Sequence, residues 1–126
     1  MNQLIVVAHP KADSFSQKLK YELEKKLVEQ SHQVKVRDLY LLNFNPVLTD
    51  HELKNNKLGN PGSDIIIEQN YINWADEITF IYPLWWNAFP AILKGYIYRV
   101  FTNGFAFKIN GTGPEGLLKD NKVRII

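Results

Sequence analysis

The spacing of apolar and polar residues predicts that strands and helices alternate along the first third of the chain. Residues 4–8 form a continuous apolar run rich in β-branched side chains, which is typical of a strand buried on both faces of a parallel sheet. A helix is expected to begin near Ser14, because Ser14 and Gln17 have the spacing of a capping box. Its buried stripe is predicted to contain residues four apart: Phe15, Leu19, Leu23 and Leu27. Residues 33–39 alternate valines with polar side chains, as an edge strand does, and a right-handed crossover would make the two strands parallel.

The middle of the chain predicts an irregular connection, a helix and a central strand. Residues 40–63 are rich in Asn, Pro and Gly, so we expect a long loop with one short helical turn near residues 50–55. A helix over residues 65–75 should follow, with Ser63 as its cap. Its apolar positions are Ile65, Ile66, Ile72 and Trp74. Residues 76–82 then form a short apolar strand that ends at Pro83, because proline lacks a backbone donor.

Residues 84–104 predict an aromatic loop and a further helix. Pro90 suits the first helical position, and Gly104 is expected to provide a left-handed cap. The apolar positions of this helix share one face: Leu93, Tyr96, Ile97, Val100 and Phe101. Residues 110–116 are expected to be a flexible loop, and residues 123–126 begin a fourth strand. Since each strand-plus-helix unit needs about 30 residues, we interpret residues 1–126 as a single α/β domain whose C-terminal part is missing.

Composition narrows the class of protein. Of the 126 residues, 45% are hydrophobic and 22% are charged, as in an ordinary globular domain. The net charge of +2 and the lack of a basic run argue against a nucleic-acid partner. The absence of cysteine excludes disulfides and thiolate metal sites and fits a cytoplasmic location. No signal peptide, membrane-inserted run or metal-ligand spacing is recognisable.

The first candidate binding site is the turn between the first strand and the first helix, where α/β folds bind phosphate. The hydroxyl groups of Ser14 and Ser16 and the ring of His9 would add donors to the free N–H groups of the helix. A simpler interpretation is that Ser14 only caps the helix and that His9 only packs against the turn. The two interpretations are compatible, because a capping hydroxyl can also face an anion.

The second candidate site is the loop with two adjacent tryptophans at the end of the third strand. It combines an aromatic wall with free backbone N–H groups, as a planar heteroaromatic ring with a polar edge requires. Its residues are Pro83, Leu84, Trp85, Trp86 and Asn87. An aromatic cluster in the core or at a dimer interface is the alternative. Gln69, on the preceding helix, is by itself an ordinary solvated polar residue.

Together these segments resemble the flavodoxin-like NAD(P)H:quinone oxidoreductase family, which includes DT-diaphorase and the modulator-of-drug-activity proteins. The matching segments are residues 4–16 (LIVVAHPKADSFS), 68–69, 74–76 and above all 82–107 (YPLWWNAFPAILKGYIYRVFTNGFAF). The resemblance implies a doubly wound parallel sheet of order 2-1-3-4-5, here incomplete after the start of strand 4, and a homodimer. It also implies FAD or FMN at the carboxyl edge of the strands, with NAD(P)H as hydride donor and a quinone as acceptor.

The resemblance also implies roles for individual residues. The residues that contact the flavin phosphates would be His9, Ser14, Phe15 and Ser16. Those lining the isoalloxazine ring would be Pro83, Leu84, Trp85, Trp86 and Asn87, although some family members carry an aromatic in place of Asn87. Gln69 would lie near the distal part of the cofactor, and Phe107 on the wall of the substrate cavity near the dimer partner. The family's catalytic residues are expected beyond Ile126, so those of this chain are unknown.

Three functional hypotheses follow. The first is a flavin-dependent NAD(P)H dehydrogenase that transfers hydride to quinones or related acceptors. The second is a truncated, catalytically weak or inactive homologue that acts as a flavin-binding or regulatory module. The third, a one-electron flavodoxin carrier, is disfavoured because such carriers are usually strongly acidic and this chain carries +2.

Overall fold

The structure, a computed structural model, describes residues 1–118 and 121–126 and contains a parallel sheet flanked by helices. Its elements in chain order are β1 (Asn2–Val7), α1 (Phe15–Glu29), β2 (Gln33–Asp38), α2 (Asp50–Lys57), α3 (Ser63–Trp74), β3 (Glu77–Ile81), α4 (Ala91–Val100), β4 (Phe107–Asn110), β5 (Gly113–Gly116) and β6 (Lys122–Ile125). Four strands form the main sheet in the order β2-β1-β3-β6, and all neighbouring pairs are parallel. The doubly wound order implied by the resemblance is thus confirmed over four strands, with β6 in the fourth position. None of the helices in the described ranges is long and apolar enough to cross a membrane.

Strand β1 occupies the centre of the fold because both of its faces are apolar. Leu4 and Val6 face the core that α3 and α4 cover, whereas Ile5 and Val7 face the core beneath α1. All four side chains are fully buried. Burial on both faces favours a parallel strand with helices on each side of the sheet. In the register of the sheet Val7 lies opposite Ile81, so β1 and β3 end side by side.

Helix α1 begins where the sequence predicts, but its first apolar residue is exposed. Ser14 is the N-cap, and its Oγ accepts a hydrogen bond from the Gln17 N–H at 3.2 Å. The Gln17 side chain donates to Asp38 instead of returning to Ser14, so the capping box is incomplete. The prediction that Phe15 is buried is wrong, since 79% of its surface is exposed. Each four-residue step exceeds one turn by about 40°, which places Phe15 about 120° from Leu27 around the helix.

Other local expectations also need correction. The expected turn near residues 50–55 is the longer helix α2, and the expected loop at residues 110–116 lies largely in the antiparallel β4–β5 hairpin. Ser63 is the first residue of α3, and Gly62 at the N-cap supplies no side-chain bond. Ile66, expected to face the core, is 44% exposed. Gly104 has a positive φ of 92°, but it lies in a turn beyond the end of α4 at Val100.

A buried arginine holds the long connection between β2 and α3 against α4. Arg99 is 6% exposed, and it donates to Glu52 and Asp64, each at 2.9 Å. A third donor of the same guanidinium reaches a carbonyl of the connection at 2.7 Å. Burial acts to lower the pKa of Arg99, but the two carboxylates raise it above its usual value. The connection, which includes α2, is therefore anchored to α4.

Candidate functional site

The two turns predicted to bind a ligand meet at the carboxyl edge of the sheet. Strands β1 and β3 are adjacent, and the N–H of Ala8 extends their pairing by donating to the Ile81 carbonyl at 2.9 Å. The rings of His9 and Trp85 pack edge to face, with centroids 5.5 Å apart and planes at 66°. Parallel α/β sheets bind ligands at this edge, because loops and helix N-termini converge there.

The turn after β1 leaves two backbone donors of α1 without a protein partner. The Ser14 N–H donates to the Lys11 carbonyl at 3.1 Å, and the Gln17 N–H is used by the cap. The N–H groups of Phe15 and Ser16 have no protein acceptor within the part of the chain that the structure describes. They lie at the positive end of the helix dipole, so a phosphate group would be stabilised here.

The ring of His9 is held in one tautomer by its own turn. The Lys11 N–H donates to His9 Nδ1 at 3.0 Å. In the neutral ring the proton is therefore on Nε2, which becomes a hydrogen-bond donor. A donor at this position suits the same anionic ligand as the end of α1.

The turn after β3 holds a tryptophan in a left-handed conformation. Trp85 and Ala88 exchange backbone hydrogen bonds of 2.9 and 3.0 Å. Between them, Trp86 has a φ of 50° and Asn87 a φ of 60°, which are the signs of a type I′ turn. Asparagine tolerates this region, whereas bulky residues rarely adopt it. Trp86 is 97% exposed, so no core contact explains the strain, and strain of this kind concentrates at binding sites.

The aromatic turn presents an open apolar surface bordered by free donors. Trp85 is 39% exposed and Leu84 is 70% exposed. Pro83 joins the turn to β3 and carries no N–H group. The N–H groups of Leu84, Trp86 and Asn87 have no protein acceptor in residues 1–118 and 121–126. This surface fits a flat heteroaromatic ring with polar atoms along one edge, as in a flavin.

The other two predicted site residues lie at the far end of α4. Gln69 is 8% exposed, and its Nε2 donates to the Val100 carbonyl at 3.0 Å and to Thr102 Oγ1 at 3.1 Å. Phe107 begins β4, in the segment that follows α4. The 10 residues of α4 separate this group from the aromatic turn by about 15 Å along the helix axis. Within one chain, Gln69 and Phe107 lie away from the edge of the sheet where the two turns meet.

Sequence reasoning missed two residues that shape the site. Ala88 closes the tight turn with Trp85, and the backbone of Lys11 links the His9 ring to Ser14. The central residues of the turn lack the Asn-Gly signature of a type I′ hairpin, so the sequence gives no turn signal there. Backbone contacts such as those of Lys11 are independent of side-chain identity, so no sequence signal could have revealed them.

Comparison with known proteins identifies the family. The profile of the Flavodoxin_2 family, described as a flavodoxin-like fold, matches residues 1–126. The chain belongs to this flavodoxin-like family. It is 45% identical over 125 residues to an uncharacterized NAD(P)H oxidoreductase of Haemophilus influenzae, covering 98% of this chain and 62% of that protein. It is 39% identical over 133 residues to the human ribosyldihydronicotinamide dehydrogenase (quinone), covering 92% of this chain and 58% of that protein.

Solved structures agree with the sequence comparison. The NAD(P)H:quinone oxidoreductase of Methanothermobacter marburgensis matches with a TM-score of 0.90 at 35% identity, over 99% of this chain and 64% of that chain. The resemblance to NAD(P)H:quinone oxidoreductases is thus confirmed at the level of family and fold. The chain spans about six-tenths of the length of the curated relatives it matches.

Proposed function

We propose that this protein is a flavin-dependent NAD(P)H dehydrogenase that reduces quinones by two-electron hydride transfer. The observation that carries the proposal is the contact between His9 and Trp85, whose rings lie 5.5 Å apart. This contact places the N-terminus of α1, which suits a phosphate, beside the aromatic turn with its free N–H donors. The phosphate and the isoalloxazine ring of a flavin would need these two surfaces. The names of the relatives, an NAD(P)H oxidoreductase and a quinone dehydrogenase, support the same chemistry.

The protein's own share in this function is binding and orientation. A bound flavin, FAD or FMN, would carry electrons from NAD(P)H to the quinone. The free N–H groups at the start of α1 and the Nε2–H of His9 would hold its phosphate. The aromatic turn would support one side of the ring, with the N–H groups of Trp86 and Asn87 donating to its polar edge. Donors at that edge stabilise negative charge on the ring system.

We also propose a homodimer in which Gln69 and Phe107 of one protomer complete the pocket of the other. The separation of about 15 Å along α4 supports this assignment, because neither residue reaches the pocket of its own chain. Gln69 borders a depression of about 260 Å³ with Gly104 and Phe105. We assign this depression to the distal part of the cofactor and Phe107 to the wall of the substrate cavity. A cytoplasmic location is proposed from the absence of cysteine.

The decisive experiment is flavin uptake followed by turnover. The purified protein should show a visible flavin spectrum, or acquire one on incubation with FMN or FAD, and should then reduce menadione with NADH or NADPH. Trp85→Ala should lose flavin, whereas Tyr21→Ala, which removes an exposed aromatic on α1, should not. Flavin uptake without menadione reduction would favour the flavin-binding or regulatory module. A protein that takes up neither FMN nor FAD contradicts the proposal.

A further inference from the structure

His9 is the residue that links the two halves of the pocket. We propose that His9 is a positioning residue that couples the aromatic turn after β3 to the phosphate-binding end of α1. The proposal rests on the proposed flavin site and adds a mechanical connection within it. Its basis is that a half-buried imidazole at the end of β1 contacts both parts at once.

The first contact of His9 supports the tryptophan wall. The edge-to-face geometry of His9 and Trp85 is the arrangement that aromatic rings prefer. In the aromatic turn, residues 83–88, the backbone hydrogen bonds in the described ranges are the two between Trp85 and Ala88. In the same ranges, His9 is the ring partner of Trp85. The two bonds with Ala88 hold the backbone of Trp85, and the packing of the His9 ring adds a contact to its indole.

The second contact of His9 begins a chain of hydrogen bonds that leads to α1. Nδ1 accepts from the Lys11 N–H at 3.0 Å, and the Lys11 carbonyl accepts from the Ser14 N–H at 3.1 Å. Ser14 in turn caps α1 through the Gln17 N–H at 3.2 Å. These three bonds fix the first turn of the helix and so the direction of its free N–H groups. A displacement of the imidazole is therefore transmitted to the phosphate-binding donors.

Two substitutions separate the two contacts. His9→Asn keeps an acceptor, Oδ1, near the position of Nδ1 but removes the ring against which Trp85 packs. His9→Phe keeps a ring beside Trp85 but removes the acceptor for the Lys11 N–H. A residue that only filled space would not show opposite effects in these two variants. His51→Asn, on the exposed face of α2, is the matched control.

The first measurement uses the apo protein. In a protein that also carries Trp74→Phe and Trp86→Phe, Trp85 is the remaining tryptophan. Its fluorescence therefore reports on the environment of the Trp85 indole. We expect His9→Asn to increase quenching of that emission by acrylamide and His9→Phe to leave it unchanged. Amide hydrogen exchange at Lys11 should accelerate about tenfold in His9→Phe, the effect of losing one hydrogen bond, and should stay near wild type in His9→Asn.

The second measurement compares FMN with riboflavin, which lacks the phosphate. His9→Phe should weaken FMN binding about tenfold and leave riboflavin binding nearly unchanged, because it disturbs the phosphate end. His9→Asn should weaken riboflavin binding by a factor of about three to ten, because it disturbs the ring wall. It should weaken FMN binding further, because it also removes the Nε2–H that would face the phosphate. His51→Asn should change neither affinity.

The two measurements fail independently. Unchanged quenching of Trp85 in His9→Asn, or unchanged exchange of Lys11 in His9→Phe, would overturn the coupling role whatever ligand the site binds. Equal losses of FMN and riboflavin affinity in both variants would also overturn it, since His9 would then only fill space. Altered apo signals in a protein that binds no flavin would support the coupling and refute the proposed function instead.

Discussion

The left-handed tryptophan at the tip of the aromatic turn lowers the stability of the fold, and one substitution should reverse this. Trp86 has a φ of 50° and is 97% exposed. The left-handed region costs a non-glycine residue about 1–2 kcal/mol, and asparagine adopts it more readily because its side chain bonds locally. An indole this exposed contributes almost no burial that Trp86→Asn would remove. We therefore expect Trp86→Asn to raise the free energy of unfolding by about 1 kcal/mol.

Urea and thermal denaturation of the apo protein measure this change. A gain of about 1 kcal/mol should raise the melting temperature by roughly 4 °C in a chain of this size and leave the urea m-value unchanged. Trp85→Asn is the control, because Trp85 packs against His9 and should destabilise when removed. Flavin affinity should fall in Trp86→Asn, since its indole would lie against the ring. Unchanged or lower stability would refute the strain argument, and undiminished flavin affinity would refute the binding role of the indole.

Two further predictions concern the core around α4. Gly95→Ala places a Cβ 2.3 Å from Pro46 and should lower stability to urea by about 1–3 kcal/mol or more, whereas Gly111→Ala, with open space around it, should not. Burial, with a smaller contribution from Glu68, raises the pKa of Tyr96, whose hydroxyl has no partner in the described residues. Because the folded protein favours the neutral phenol of Tyr96, the free energy of unfolding should be unaffected by this group below about pH 10 and should decline above it. Tyr96→Phe should remove that decline, as denaturation at several alkaline pH values would show, and should cost no stability at neutral pH.

The centre of the sheet was predictable because its strands are buried on both faces. Which side of a helix is buried and which type of turn forms were not predictable. The apolar run of β1 indicated a central parallel strand, and the structure buries both of its faces. The exposure of Phe15 does not follow from the apolar spacing, because a four-residue repeat drifts around the helix and its first member leaves the buried face. The sequence predicts a loop where the structure has the β4–β5 hairpin, although its two central residues, Gly111-Thr112, have the Gly-X pattern of a short hairpin turn. Its flanking strands show no alternation of buried apolar residues, so local pattern gave them no support.

For the candidate site, the sequence predicts which distant segments lie close together, because that follows from the order of the strands. His9 and Trp85 are far apart in sequence, and their contact follows from the adjacency of β1 and β3 in the 2-1-3 order. The tautomer of His9 and the left-handed Trp86 depend on backbone geometry that no local sequence pattern indicates. Sequence reasoning therefore predicts that the two turns lie close together, whereas their ligand-binding role stays a prediction.

The position of Gln69 makes the dimer proposal testable through ligand affinity. Because Gln69 is separated from the pocket of its own chain by the length of α4, it can affect flavin binding only through folding or from a second protomer. Thr102→Ala removes one of the two buried hydrogen bonds of Gln69, so the free energy of unfolding of both variants is measured beside flavin affinity to separate folding effects. If Gln69 contacts the cofactor across a dimer, Gln69→Ala should weaken FAD binding about tenfold more than Thr102→Ala does, the value of one hydrogen bond. Equal effects in the two variants, or a protein that sedimentation shows to be monomeric while it binds flavin fully, would restrict Gln69 to a structural role.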